Sequence, residues 1–287
     1  MPHIKVVTDS ACDVPEPLLR QFDVTVVPHT IQWGGETYLD GVNITTEQVL
    51  RRLRSEPQSW PHILPPSVED FTRVYRLLRE TCDGVLSVHV SGKLSDAAAN
   101  ASVAREAFGP IGQGGPFPIA VVDSQSLSMG LGWLVLGLAS AAEAGVDLPR
   151  LASLGTRMAQ QVHFAFFTER LDGLLRSGRA PRLTGQPDNL SAMRPLLHLD
   201  EGQVTIYERT RTRPKARDAL YNFVEDFPKI GELAVLHTGA QLDLEHLMTR
   251  VGAIYPRDRV LIAQPGATVA ALLGPEALGV AVMEGED

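Results

Sequence analysis

Cysteine is scarce in this sequence. Its two copies, Cys12 and Cys82, stand at neither C-x-x-C nor any metal-ligand spacing, which argues against a disulfide framework and suits a reducing compartment. Positive charge is also short: 26 basic against 34 acidic side chains leave a formal charge of −8, the wrong sign for a protein whose main business is nucleic-acid phosphate. No apolar run reaches the roughly 20 residues that cross a bilayer. The longest, LSMGLGWLVLGLASAA at 127–142, carries serines and glycines and reads as a buried helix. A signal peptide is missing too, because Asp9 interrupts the first apolar run, so a cytoplasmic protein is expected. No G-x-x-x-x-G-K-[ST] loop and no zinc-like cluster occur, so neither a metal nor a cofactor is expected. The glycines of MGLGWLVLG fall inside an apolar helix, where helix packing explains them better than a dinucleotide turn does.

What is present describes an α/β protein. With 287 residues, 44% of them hydrophobic, the chain can bury a sizeable core and make two domains. Apolar runs rich in Val and Ile at 3–7, 24–31, 84–90, 118–123, 164–167, 232–237, 259–264 and 279–283 are continuous rather than alternating, as strands covered on both faces require. Helices are expected at 16–21, 46–53, 68–80, 95–108, 129–143, 148–161, 213–224 and 242–251. Thr45 and Ser67 stand ahead of acids or Gln as N-caps. Interleaved strands and helices imply a mainly parallel sheet. The two alternating runs around Asp-Glu-Gly, at 196–208, form a β-hairpin turning at Gly202. A boundary near residue 150, in AGVDLPR, divides the chain into an N-terminal domain, 1–150, and a C-terminal domain, 151–287.

In open α/β sheets, ligands collect at strand-to-helix turns, here TDSACD, VPHT, HVSGKLS and VDSQSLSMG. Asp9 and Asp13 lie four apart, not at the i, i+2 spacing of an aspartyl phosphotransferase, and read as a helix cap. Cys12 has no partner that would make it a nucleophile. His62, His89, His163, His198 and His237 are scattered. Only His62 stands out, in the proline-stiffened loop WPHILPPS. If the run ERTRTRPKAR is extended, Arg209, Arg211 and Arg213 share one face, forming either a solvated ladder or a docking stripe for an acidic or phosphate-bearing partner.

Several phrases together resemble the DegV family of bacterial fatty-acid-binding proteins over nearly the whole chain. VVTDSACDVP is similar to the family's opening TDS-x-x-D-L-P, VVPHTIQWGGETYLDGVNIT to the segment that follows, and VDSQSLSMGLGWLV to its D-S-x-x-x-S-M-G-x-G. LLRSGR, LLHLDEGQV, RTRTRPKA and GPEALGVAV follow in the family's order. The resemblance implies two α/β domains holding one long-chain fatty acid, such as palmitate, in a buried apolar slot near their junction. It also implies a carrier without catalytic residues, which presents the carboxylate to a separate ATP-dependent kinase.

The head-group region departs from the family pattern. The family's P-T-T-S-Q-P-S matches Pro61–Ser67, where the hydroxyl residues are replaced by His62, Ile63 and Leu64. Its S-S-x-L-S turn becomes Ser91, Gly92, Lys93, Leu94 and Ser95, and a histidine before its closing glycine becomes Leu272. By this resemblance His62, Ser91, Gly92 and Ser95 meet the head group, while Ile63, Leu64, Leu272 and Leu273 line the slot or its mouth. Arg179, Arg209 and Arg211 dock the partner. A buried carboxylate without donors costs several kcal/mol. Two other readings therefore stay open: a carrier of a neutral or differently headed lipid, and a small-molecule phosphatase or hydrolase built on Asp9, His62 and Ser91.

Overall fold

The computed structural model describes residues 3–108, 117–180 and 193–285. Strands β1 (Ile4–Asp9), β2 (Thr25–Val27), β6 (Gly84–His89) and β7 (Ile119–Asp123) form a parallel sheet in the order β2-β1-β6-β7. A small antiparallel sheet joins β3 (Thr30–Trp33), β4 (Glu36–Leu39) and β5 (His62–Leu64). The third sheet runs β10 (Gln203–Glu208), β9 (Leu196–Asp200), β8 (Val162–Phe167), β13 (Leu278–Glu284), β11 (Ile230–His237) and β12 (Leu261–Ala263).

The α/β expectation holds with two principal sheets, and the parallel pairing is realised throughout the first. In the six-stranded sheet only β11 and β12 run parallel; the other four neighbouring pairs are antiparallel. The cause is visible in the side chains. Phe164, Phe166, Ala234, Leu236 and Ala281 enter one core, while the alternating Ala165, Phe167, Leu233, Val235, Val280 and Val282 enter another. A strand buried on both faces is apolar without a break whichever way its neighbour runs.

Between the two large sheets lies α5 (Met129–Glu143), which packs on β1 and β6 on one side and β8 and β13 on the other. It is apolar all round, as such a position requires. Its glycines serve close packing: a Cβ at Gly132 would stand 2.8 Å from the Cys12 carbonyl oxygen, and one at Gly130 would collide with Ser126 Oγ. The far face of the six-stranded sheet is covered by α8 (Arg213–Glu225) and α9 (Gln241–Val251). The parallel sheet carries α3 (Val68–Leu78), α4 (Ala97–Glu106) and α6 (Leu148–Met158), the last beginning at the expected domain boundary and packing on β6 and β7. The remaining helices are α1 (Glu16–Gln21), α2 (Thr46–Ser55), α7 (Asp172–Arg176) and α10 (Ala267–Leu273).

Two caps and one hairpin follow the sequence closely. Thr45 Oγ1 accepts from Gln48 N while Gln48 Oε1 accepts from Thr45 N, and Ser67 and Asp70 repeat the exchange at α3. The hairpin turns at Glu201 and Gly202, both with positive φ. The single strand expected at 24–31 is broken. Pro28 has no amide hydrogen to give a ladder, and His29 N donates to Ser10 Oγ at 3.0 Å, so β2 ends in one sheet and β3 begins in another.

Candidate functional site

The first parallel strand ends on Asp9, whose carboxylate is fully buried and organises the turns around it. It accepts from Ala11 N, from Val90 N and from His89 Nδ1, each at 3.0 Å, and a chain continues from His89 Nε2 to Ser87 Oγ and Tyr75 Oη. Burial alone raises the Asp9 carboxyl. The His89 hydrogen bond, the His29 and His89 rings and Val90 N more than offset it and hold the group below its ordinary value.

The break at Pro28 delivers His29 into the same place. His29 is 2% exposed; its Nδ1 lies 3.3 Å from Ser10 Oγ and 3.9 Å from Asp9 Oδ1, and its Nε2 lies 3.3 Å from Ser95 Oγ. Burial pushes the imidazole down from its ordinary value, more than the Asp9 and Asp40 carboxylates raise it. His29 also borders a cavity of about 270 Å³. The walls come from β5 and the residues after it, Leu94 and Leu127, and one face of α10; Arg176 and Arg179 of the α7 region close another side. Thr268, on α10, also borders the cavity; the residue is 5% exposed, and its buried hydroxyl has no hydrogen-bond partner among the described residues. An empty apolar cavity of about 150 Å³ takes one benzene, so this volume suits a head group and a chain of about ten carbons. A longer chain has to displace half-buried side chains such as Leu94 and Leu272.

Of the residues expected at the head group, Ser95 borders the cavity, its hydroxyl 3.3 Å from His29 Nε2, and His62 borders it as an exposed residue of β5. Ser91 and Gly92 do not line it. Ser91 Oγ donates to the Gly202 carbonyl of the hairpin at 2.7 Å, and Gly92 N donates to Asp123 Oδ2 at 3.1 Å, so their polar groups are engaged elsewhere. Ile63, Leu64 and Leu272 line the wall; Leu273 is wholly buried behind it. Arg179 also borders the cavity and pairs with Asp96. The basic stripe is not an extended strand: Arg209 and Arg211 are exposed after β10, while Arg213 begins α8 and turns inward to Glu169 and Asp243, at 2.6 Å each. Of the residues named for a hydrolase, Asp9 accepts from Ala11 N, Val90 N and His89, Ser91 donates to the Gly202 carbonyl, and His62 is exposed on β5.

Sequence reasoning flagged the VPHT turn but not His29 itself, and it missed Thr268 altogether. The signal for His29 was a histidine directly after a strand-breaking proline. Thr268 lies in an alanine-rich segment that was not read as a helix.

A wider cleft of about 450 Å³ opens on the other side of the Ser10–Asp13 turn, lined by Asp13, Asp40, Val42 and Ile262 among others. Its acids already have partners. Asp13 accepts from Ser128 Oγ at 2.5 Å and Gly266 N at 2.7 Å, and Asp40 accepts from Ala267 N and Thr268 N, which caps α10. Two carboxyl groups make it a poor seat for an anionic head. Among the described residues no three His, Cys, Asp or Glu side chains gather as a metal site, and no helix is long and apolar enough to cross a membrane.

Burial holds the Asp13 carboxyl well above its ordinary value, against the lowering by Ser128 and Gly266 N. A group raised in the folded state keeps its proton where the unfolded chain has lost it, so stability falls as pH rises from the ordinary carboxylate range toward the folded value. Asp13→Asn keeps the shape and does not ionise. Its thermal midpoint, relative to the parent protein, is expected to rise as the pH is raised above the ordinary carboxylate range. A difference that stays constant with pH in thermal melts contradicts this.

A family model described as an uncharacterised protein of the DegV family matches residues 3–285. The chain belongs to the DegV family. A DegV domain-containing protein of Streptomyces coelicolor is 31% identical over 295 residues, covering 98% of each chain. Among solved structures, a DegV family protein from Thermus thermophilus described for its fatty acid binding is 31% identical, with a TM-score of 0.87, over 99% of this chain and 100% of that one. A fatty acid binding DegV family protein from Streptococcus agalactiae, 23% identical, has the same fold at a TM-score of 0.88 over 100% of both chains. The DegV fold thus accounts for both principal sheets and for α5 between them.

Proposed function

We propose that this protein binds a long-chain fatty acid such as palmitate, with its carboxylate at Ser95, Thr268 and His29. The observation that carries the reading is Thr268 on the cavity wall, whose buried hydroxyl has no hydrogen-bond partner among the described residues. Such a group costs free energy unless a ligand satisfies it. The fatty acid binding described for the Thermus thermophilus relative supports the same ligand class. A neutral-headed lipid is disfavoured in this reading, because the hydroxyls absent at 62–64 are replaced by His29, just before β3, and Thr268 of α10. At roughly 0.8 kcal/mol per buried methylene, a 16-carbon tail contributes on the order of 10 kcal/mol before ordering costs, so the slot supplies affinity and the polar end selects the head.

In this reading the protein is a carrier in the cytoplasm, with the division into units near residue 150, and an ATP-dependent kinase performs the chemistry on the presented carboxylate. Solvent extraction of the purified protein followed by mass spectrometry tests the binding. An acyl acid in near-stoichiometric amount is expected; the absence of any acyl species together with no uptake of added fatty acid overturns the reading, and turnover of an ester or phosphate by the protein alone overturns the carrier role. Arg209 and Arg211, exposed beside the hairpin, are the proposed docking residues, with Arg179 at the cavity. The double variant Arg209→Glu, Arg211→Glu is expected to slow acyl phosphate formation by a partner kinase at least tenfold while leaving lipid content unchanged. Lost lipid content in the same variant contradicts a docking role.

A further inference from the structure

We propose that His29, backed by Asp9, is the group that selects an acid head in this cavity, and that binding an ionised acid is accompanied by the uptake of one proton onto the His29 imidazole. The inference rests on the fatty acid reading above and deepens it. His29 presents Nε2 beside Ser95 at the cavity wall, while Nδ1 faces the Asp9 carboxylate at 3.9 Å and Ser10 Oγ at 3.3 Å. With no ligand, burial keeps the ring neutral. A carboxylate arriving on the Nε2 side places a negative charge on each side of one imidazole; the imidazolium then donates to the ligand from Nε2, while its charge is also attracted by Asp9 at 3.9 Å, beyond hydrogen-bond distance.

The charged and titratable groups around the ring are consistent with this. Asp9 at the end of β1 and Asp40 after β4 favour the proton, and His89 at the end of β6 opposes it. Farther round the same cavity stand His62 on β5, Asp96 ahead of α4, and Arg176 and Arg179 of the α7 region; Asp96 and Arg179 are paired with each other. An alcohol of the same length brings no charge, leaves His29 neutral and takes up no proton. Proton-coupled binding also means that affinity falls about tenfold for each pH unit above neutrality, because one proton enters with each acid.

Dodecanoate, short enough for the cavity and soluble as a monomer, and 1-dodecanol are the probes. Delipidated protein is titrated calorimetrically near pH 7.5 in phosphate and in Tris, whose ionisation enthalpies differ, and the carboxyl resonance of carboxyl-¹³C-labelled dodecanoate is read in the complex. The expected result is uptake of about one proton per dodecanoate, a bound carboxyl resonance at the ionised position, and no uptake with dodecanol. In His29→Gln the uptake disappears, and affinity for dodecanoate drops at least tenfold more than affinity for dodecanol. Binding by the parent protein without proton uptake overturns the inference while leaving the fatty acid reading intact. A resonance at the protonated position, or undiminished uptake in His29→Gln, places the proton on the ligand and also overturns it. Failure of the parent protein to bind any acid defeats the underlying reading.

Discussion

Replacing Ser95 by Ala and Thr268 by Val together is expected to weaken fatty acid binding by two to four orders of magnitude. Each hydroxyl supplies a hydrogen bond to a charged oxygen, worth about 1.5–3 kcal/mol, and the pair therefore about 3–6 kcal/mol. The fold should hardly register the change at Thr268, whose hydroxyl has no hydrogen-bond partner among the described residues and whose replacement by Val keeps its shape. At Ser95 the bond from Ala97 N and the contact with His29 Nε2, at 3.3 Å each, are lost. Calorimetric titration of the delipidated double variant with dodecanoate, beside its thermal melt, separates the two effects. A loss of affinity below tenfold with an unchanged melt would put the head group elsewhere.

Asp9→Ala is expected to cost about 3–5 kcal/mol of stability, the largest effect of any single polar substitution considered. Its carboxylate joins the Ser10–Cys12 turn to the end of β6, and without it Ala11 N, Val90 N and His89 Nδ1 are left unpaired in the core. For a protein of this size that corresponds to a lowering of the thermal midpoint by about 10 °C. Because the Asp9 carboxyl is held below its ordinary value, its contribution is present above the unfolded value and is lost as pH falls through the folded one. The gap between parent and variant should therefore narrow in acid. Asp9→Asn, which still offers an oxygen to one amide, should lose less than Asp9→Ala. Equal melts for all three proteins at neutral pH would show that the carboxylate does not hold these turns together.

Local chemistry made much of the fold readable. Thr45 and Ser67 announced their helices through side chains that can bond only to the first turn, and the glycines of MGLGWLVLG pointed to a helix that lets backbone approach closely, as Gly132 and the Cys12 carbonyl do. Strand direction was not readable in the six-stranded sheet. Phe164 and Ala165 are both buried, in different cores, and that apolar continuity is the same for parallel and antiparallel neighbours. The site was legible only in part. The family pattern pointed to Ile63, Leu64, Ser95 and Leu272, which do line one cavity. Ser91 looked equivalent to Ser95 in the turn HVSGKLS, but a hydroxyl at a strand end can meet whichever element lies above it, here the hairpin at Gly202. Thr268 reaches the cavity from a segment more than 170 residues away from Ser95, a proximity that only the folded chain supplies.

The most direct measurement is a crystal structure of the protein with palmitate bound. The account predicts the carboxylate within hydrogen-bond distance of Ser95 Oγ, Thr268 Oγ1 and His29 Nε2, with the chain running along Ile63, Leu64 and Leu272. A carboxylate at Ser91 and Gly92, or an acyl chain in the cleft beside Asp13 and Asp40, would contradict it.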